Sequence, residues 1–327
     1  MTPQPSAASS PALSPSPASP LPGLALAFNA LVWGTAWWPF RRLESHGLHP
    51  LWATALVFAV SCLAIVAWRP QALRQLLHTP VLWILVLASG TTNAAFNWAV
   101  VIGDVVRVVL LFYLMPLWSV LLGRLLLNEP LTRAAAGRVA LALAGALVVL
   151  WPASAAGGLT WDAWPLPRTL ADALGLVGGF SFALNNVMLR REAHRPEEAR
   201  ALAMFVGGVM VAGGLAVSLA MQAQIPWLPV PQAAWLRVAF VLALLFLAGN
   251  LALQYGAARL PANVTAVVML TEVVFAAGSA WALGAGRLTP QLLAGGGLIV
   301  LAALHAAWRP DPAPAPSPAA HEARSAG

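Results

Sequence analysis

Apolar runs of about 18 or more residues, nearly free of charge, follow one another along most of this 327-residue chain. A helix of roughly 20 residues, rising about 1.5 Å per residue, crosses the hydrocarbon layer of a bilayer. The chain is 60% hydrophobic and 9% charged, whereas soluble domains carry about 25% charged residues. Because strand-like alternation is absent from the runs, we predict an all-α integral membrane protein.

Proline, glycine and charged residues divide the apolar runs into ten predicted transmembrane helices. They cover residues 23–40, 50–68, 80–101, 105–127, 134–151, 172–189, 200–221, 234–255, 262–284 and 290–308. Residues 1–22 and 309–327 are rich in proline, alanine and serine, so we expect a disordered tail at each end. Residues 152–171 are predicted to form an outer linker loop.

The basic residues of the short loops predict the orientation. The chain has 18 basic residues, all of them arginine. With ten spans the two termini share one side, and most arginines fall in loops on that side. Cytoplasmic loops carry the excess of basic residues in membrane proteins. Both termini are therefore predicted to be cytoplasmic. Arg41 and Arg42 fall on the other side of the membrane and do not fit this orientation.

Polar residues inside the apolar runs indicate an internal repeat. The segment TTNAAFNWA in the third span has a later counterpart, GNLALQYGA, in the eighth. An offset of 157 residues places Asn93 on Asn250 and Asn97 on Gln254. Polar matches in an apolar background are unexpected by chance, so the second half is interpreted as a copy of the first.

The predicted repeats cover residues 23–151 and 172–308, with five spans in each. Because five is odd, the second repeat enters the membrane from the opposite side, and the halves form an inverted pair. Inverted repeats allow two related packings that open to opposite sides around a site near the bilayer midplane. The fold class is thus two inverted five-helix repeats enclosing a central cavity.

Two readings remain open for the amides Asn93, Asn97, Asn250 and Gln254. Each pair lies four residues apart, on one face of its helix. Amides of this kind also hold membrane helices together, at about 0.6 and at most about 2 kcal/mol each. The matched positions favour cavity lining for the set as a whole.

Glu272 is an acidic residue about halfway along the ninth span. Insertion scales put such a side chain near +2.5 to +3.5 kcal/mol, so it is expected to face the bundle interior. It is a candidate proton-coupling residue or a partner for a cationic substrate group. The alternative is a neutral carboxyl that is hydrogen bonded within the bundle. The repeat offset aligns Glu272 with Met115 of the first half, which cannot titrate. Proton coupling through Glu272 would therefore be asymmetric between the repeats.

Five further residues are candidates for the cavity wall or its gate. Pro116 predicts a kink in the fourth span. Tyr113 precedes it and carries a hydroxyl that can point into the cavity, although an aromatic residue in a membrane helix more often serves packing. Trp33 and Trp37, one turn apart, can present a stacking surface to an organic substrate, but packing is the more common role for each of them taken singly. An offset of 149 residues aligns the first and sixth spans and places Trp37 on Asn186.

The sequence also excludes several classes of function. Its arginines are spread over short loops, which argues against nucleic-acid binding. It contains no phosphate-binding loop, nucleophile elbow or metal-ligand spacing, so no cofactor or metal is expected. The single cysteine, Cys62, lies in an apolar run and is interpreted as a buried hydrophobic residue.

Two segments resemble the paired domains of the EamA family, which belongs to the drug/metabolite transporter superfamily. They are LLFYLMPLWSVLLGRLLLNEPLT and NVTAVVMLTEVVFAAGSAWALGAGRLT. The resemblance covers roughly residues 23–308. It implies ten helices in inverted repeats and export of amino acids or other small metabolites across a bacterial inner membrane. Two positions depart from the pattern. Val273 stands where the family commonly has proline. Gly286 stands where the repeat, by analogy with Glu129, predicts an acidic residue.

Together these features predict an inner-membrane secondary transporter that exports small organic molecules by alternating access. Proton coupling is one option for its energy source. An intramembrane enzyme and a non-transporting scaffold or receptor are alternatives without a supporting motif. The expected partners are a small-molecule substrate and the lipid bilayer, with a homodimer left open. The predicted substrate-binding residues are Trp33, Trp37, Asn93, Asn97, Tyr113, Asn186, Asn250, Gln254 and Glu272, with Pro116 at the gate.

Overall fold

The computed structural model describes residues 19–102, 105–150, 167, 169–284 and 289–308. Within these residues the chain forms fourteen helices and no strand. The helices are α1 (Leu21–Thr35), α2 (Trp37–Glu44), α3 (Pro50–Trp68), α4 (Gln71–His78), α5 (Leu82–Ile102), α6 (Val105–Phe112), α7 (Met115–Leu127), α8 (Arg133–Leu150), α9 (Leu170–Arg191), α10 (Glu197–Met221), α11 (Ala233–Arg259), α12 (Ala262–Met269), α13 (Thr271–Ala282) and α14 (Pro290–Trp308). Most of the predicted tails and linker loop lies outside the described residues.

Each predicted span coincides with one helix or with two consecutive helices. The first span is α1 and α2, the fourth is α6 and α7, and the ninth is α12 and α13. Among the described residues, five segments are long and apolar enough to cross a membrane. They are α3, α9, α10, α11, and α12 together with α13. The short helix α4, which the sequence did not predict, meets α5 at 99° and adds a sixth if the two form one span. The count of ten therefore stays a prediction.

The start of α3 is capped by the residue that precedes it. His49 precedes the helix, and its ring nitrogen accepts a hydrogen bond from the backbone N–H of Leu51 at 3.3 Å. Pro50 occupies the first helical position, where its missing N–H costs no helix hydrogen bond. Burial lowers the pKa of His49, against an opposing effect of Glu44. The ring therefore stays neutral near pH 7 and keeps its acceptor nitrogen.

Three of the predicted spans are broken inside the bundle. The breaks fall at Ala36, at Tyr113–Leu114 and at Leu270. Tyr113 and Leu270 are related by the 157-residue offset, so the fourth and ninth spans break at equivalent positions. The first span breaks at Ala36, whereas its counterpart α9 is continuous. The two repeats thus share one break and differ in the other.

Proline accounts for only one of the two equivalent breaks. Pro116 is the second residue of α7, in a first turn where proline is tolerated, so the preceding helix α6 ends before it. Val273 occupies the equivalent position in α13 and gives no reason for a break. The Thr271 hydroxyl beside this break donates to the carbonyl of Val268 at 2.7 Å. A sequence pattern based on proline alone does not predict this second break.

The helices of one repeat pack mainly on helices of the other. α5 packs on α9 and α10, α1 packs on α11 and α13, α3 packs on α10, and α8 packs on α14. Exchanging the two repeats converts the α1–α11 contact into the α9–α5 contact and leaves the α3–α10 and α8–α14 contacts in place. The core is therefore an interface between repeats with approximate two-fold symmetry.

The main departure from this symmetry is a close crossing of α5 and α10. A Cβ atom on Gly90 would overlap the Gly207 carbonyl, and one on Gly207 would overlap the Val86 carbonyl. Glycine at this crossing lets the two backbones touch. The symmetry-related contact of α11 with α3 is less extensive, and it is filled by Phe58 and Phe246, whose rings lie 6.0 Å apart.

Candidate functional site

The tryptophans of the first span connect α1 and α2 to the second repeat. Trp33 stacks on Phe246 of α11 with ring centroids 4.3 Å apart. The Trp37 indole N–H donates to the Ser279 hydroxyl of α13 at 2.9 Å. Both indoles are partly exposed. They therefore hold the Ala36 break against two helices of the other repeat and keep one edge accessible.

A groove of about 450 Å³ opens beside this break. Its walls come from α1, α2, α11 and α13, and they include Thr35, Trp38, Arg237, Ser279 and Leu283. The lining is almost entirely apolar. The groove thus offers an apolar surface next to the Trp37–Ser279 hydrogen bond.

The amide pair of the first repeat lies on α5 and is partly buried. The Asn93 side-chain N–H donates to the carbonyl of Ser89 in its own helix at 2.9 Å. The Asn97 side-chain N–H donates to the Thr54 hydroxyl of α3 at 2.9 Å. Asn97 therefore joins two helices, whereas Asn93 makes no hydrogen bond to another helix in the described part of the chain.

The amide pair of the second repeat is more deeply buried. Asn250 donates to the sulfur of Met204 on α10 at 3.3 Å. Gln254 is fully buried. With its amide oriented to satisfy both groups, Gln254 accepts from the N–H of Ala201 at 2.9 Å and donates to the carbonyl of Glu197 at 3.2 Å. This pair ties α11 to the first turns of α10, so its geometry matches the helix-joining role.

Glu272 lies in the first turn of α13, directly after the Leu270 break, and is partly exposed. Within the described residues its carboxyl makes no hydrogen bond or ion pair. It lies within electrostatic range of Tyr113, which is buried at the equivalent break of the first repeat. The structure therefore brings Glu272 and Tyr113 towards each other where α7 and α13 begin.

The two asparagines of α9 are both buried, with 1% of each surface exposed. The Asn185 side-chain N–H donates to the Asn186 oxygen at 3.4 Å. The Asn186 nitrogen and the Asn185 oxygen have no hydrogen-bond partner within the part of the chain that the structure describes. Asn186, the predicted site residue, thus presents an unpaired amide N–H₂ group inside the bundle.

A junction of Glu129, Arg190 and Ala262 joins the repeats at one end of the bundle. Asn128 ends α7 in the left-handed conformation, with φ 54°, and turns Glu129 back over the helix. The Glu129 carboxylate accepts from the Arg190 guanidinium at 2.9 Å and from the backbone N–H of Ala262, the first residue of α12, at 3.2 Å. Gly123 leaves room for the carboxylate, since a Cβ there would lie 3.0 Å from one oxygen.

Metal chemistry finds no support in the described residues, because they contain no group of three or more histidine, cysteine or acidic side chains that could hold an ion. The described site is instead built from amides, hydroxyls, aromatic rings and one carboxyl.

The model of the EamA-like transporter family matches residues 21–151 and 169–307, which together make up most of the chain. The chain belongs to the EamA-like transporter family. The first matched segment begins with α1 and ends after α8, and the second contains α9 to α14 and ends inside α14. The fold is therefore a pair of EamA repeats in a multi-pass membrane protein, as the resemblance implied.

Comparison with solved structures supports this fold. A crystal structure of a protein superposes with a TM-score of 0.68, at 21% sequence identity, over 87% of this chain and 96% of the other. Identity at this level bears on the fold alone. No curated protein sequence matches the chain.

Sequence reasoning missed several groups at the interface between the EamA repeats. Arg200 is the first residue of a predicted span, a position where an arginine side chain is expected to reach water. It is instead 1% exposed, and its guanidinium donates to the carbonyl of Leu189 at 3.0 Å. Ser119 and Thr265 are fully buried with unpaired hydroxyls. Small hydroxyl residues are common in membrane helices, so nothing in the sequence distinguished these two.

Proposed function

We propose that this EamA-family membrane protein is a secondary transporter that exports amino acids or other small organic metabolites. Transport proceeds by alternating access to a cavity between the two repeats. The membrane is a bacterial inner membrane, with both termini in the cytoplasm. The proposed lining comprises Trp33, Trp37, Asn93, Asn97, Tyr113, Asn186, Asn250, Gln254 and Glu272, with Pro116 at the gate.

One observation carries this proposal: the repeats break at equivalent positions, Tyr113–Leu114 and Leu270, where they face each other. Discontinuous membrane helices form the binding sites of many transporters. Glu272 lies in the first turn of one of these half-helices, and its carboxyl has no partner among the described residues. Such a group is available for a substrate or a proton.

Counterflow in proteoliposomes tests the proposal. The purified full chain is reconstituted with unlabelled amino acid inside the vesicles and the labelled form outside. A carrier accumulates label transiently, because exchange across the sealed bilayer is faster than equilibration of the pool. Vesicles without protein provide the baseline. Absence of accumulation for every amino acid and small metabolite in the series would contradict a carrier function.

A further inference from the structure

Three buried polar groups form a layer one helical turn inside the Glu129–Arg190–Ala262 junction. Asn186 is four residues before Arg190, so it lies on the same face of α9. Thr265 is three residues after Ala262 on α12. Ser119 is four residues before Gly123, the residue of α7 that the Glu129 carboxylate covers. The three side chains are each 1% exposed or less.

The packing brings these side chains to one level. The helices α7, α9 and α12 all contact one another. A Cβ on Gly123 would lie 3.5 Å from the Cβ of Ala262, and Leu122, Ala183, Val187 and Ala262 form one apolar cluster. α7 ends at the junction, whereas α12 begins there. Ser119, one turn before Gly123 on α7, and Thr265, one turn after Ala262 on α12, therefore lie at the same depth below the junction.

The three side chains of the layer are uncharged, and each has a polar atom without a hydrogen bond to the described residues. Among the described residues, the hydroxyls of Ser119 and Thr265 and the amide nitrogen of Asn186 have no hydrogen-bond partner. Buried polar groups without partners are rare and costly, and a bound ligand can supply the missing hydrogen bonds. The nearby charges of Glu129 and Arg190 are paired with each other. An ionised ligand group would therefore lack a counter-charge in this layer.

We propose that Ser119, Asn186 and Thr265 form a subsite that binds an uncharged hydroxyl or amide group of the substrate. The junction of Glu129, Arg190 and Ala262 closes over this group. The proposal rests on the proposed transport function and names the polar part of the substrate that this site selects. It predicts a preference for a hydroxylated solute over the same solute without the hydroxyl.

The test uses two pairs of amino acids that differ by one hydroxyl, L-threonine with L-valine and L-serine with L-alanine. Binding to the purified full chain is followed by tryptophan fluorescence, and exchange is followed by counterflow. The wild type is expected to prefer the hydroxylated member by about tenfold or more, since sites that bind a hydroxyl reject analogues without it. Thr265→Val and Ser119→Ala each reduce this preference to about threefold or less.

A matched control separates the subsite from a general effect of losing a hydroxyl. Thr92→Val removes a buried hydroxyl that donates to the Ala88 carbonyl within its own helix at 2.7 Å. This variant should keep the wild-type preference. The melting temperature of Thr265→Val should equal or exceed that of the wild type, because an unpaired hydroxyl is replaced by a methyl of similar size. Folding therefore does not obscure the result.

The outcomes distinguish the subsite from the transport function. If Thr265→Val and Ser119→Ala keep the wild-type preference, the proposed subsite is wrong and the layer holds only water. Counterflow by the wild type would still support transport in that case. A wild type without a hydroxyl preference also overturns the subsite. If the wild type binds selectively, and the variants lose this selectivity, but no protein gives counterflow, the subsite stands and the transport function fails.

Discussion

At the scale of single residues, the carboxyl of Glu272 is an ionisable group inside an apolar bundle, where a charge is costly. It lies in the first turn of α13, beside the Leu270 break and within electrostatic range of Tyr113. Its carboxyl has no fixed partner among the described residues, so it is available to exchange a proton.

Replacing Glu272 with glutamine tests proton coupling through this group. Glu272→Gln keeps the shape of the side chain and removes its titration. We expect loss of accumulation driven by an imposed pH gradient, with counterflow exchange retained within about twofold, because exchange needs no net proton movement. Both quantities are measured in the same proteoliposomes.

Glu198→Gln is the control for this experiment. Glu198 lies in the first turn of α10 and pairs with Arg69 at 4.0 Å across partly exposed side chains. Its replacement should leave both quantities unchanged. An unaltered response to the pH gradient in Glu272→Gln would show that this carboxyl does not couple transport to protons.

The hydrogen-bond partners of the individual site residues were less predictable from sequence than the positions of those residues in the repeats. The offset of 157 residues related Asn93 to Asn250, yet Asn93 bonds to its own helix and Asn250 bonds to Met204 on another. A pattern identifies equivalent positions, but the partner of a polar side chain depends on which helix packs beside it. The unpaired hydroxyls of Ser119 and Thr265 give no sequence signal for the same reason.

At the scale of helices, the α5–α10 crossing depends on the absence of side chains at two positions. Gly90 and Gly207 allow the backbones to touch, and no other residue fits either position without movement. The sequence contains many glycines in its apolar runs, so glycine content alone did not identify this crossing. Packing decides which of them are required.

A pair of alanine substitutions on α10 tests this crossing. Gly207→Ala should destabilise the protein by about 1–3 kcal/mol, because the added methyl overlaps the Val86 carbonyl. Gly214→Ala, on the same helix, introduces a methyl into open space. It should be neutral or stabilising by up to about 1 kcal/mol. Thermal unfolding in detergent measures both, and equal melting temperatures would contradict the proposed close contact.

The junction of Glu129, Arg190 and Ala262 is a second contact between helices of different repeats. Glu129→Gln keeps an acceptor for the Ala262 N–H and removes the charge opposite Arg190. A hydrogen bond to a charged group contributes about 1.5–3 kcal/mol, so its loss should favour the arrangement in which this end is open. Glu129 belongs to the NEPLT motif of the sequence, but only the fold brings Arg190 beside it.

Cysteine labelling measures the opening of this junction. Cys62 is first replaced by alanine, and Ser119→Cys then places a small thiol directly inside the junction. Adding Glu129→Gln should raise the labelling rate by a water-soluble thiol reagent by about tenfold, since 1.4 kcal/mol corresponds to a factor of ten. Adding Glu198→Gln instead should leave the rate unchanged. Equal rates with and without Glu129→Gln would show that the junction does not control access.

At the scale of the whole molecule, the sequence predicted the two repeats and the position of every described long helix. The 3.6-residue geometry of an apolar helix and the thickness of a bilayer determine where such helices lie. It missed α4, whose eight residues are too few to form an apolar span and which buries only Ala72 and Leu76. It also missed the break at Ala36, which depends on Trp33 and Trp37 packing against α11 and α13.

The unequal ends of the molecule have a kinetic consequence. Glu129 pairs with Arg190 at one end, whereas the repeat offset relates Glu129 to Gly286, a residue outside the described part of the chain that carries no carboxylate. Two conformers of unequal free energy give different half-saturation concentrations for the same solute on the two faces of the bilayer. Without an imposed pH gradient the proposed carrier cannot shift the equilibrium of its solute, so the maximal velocities in the two directions must differ by the same ratio.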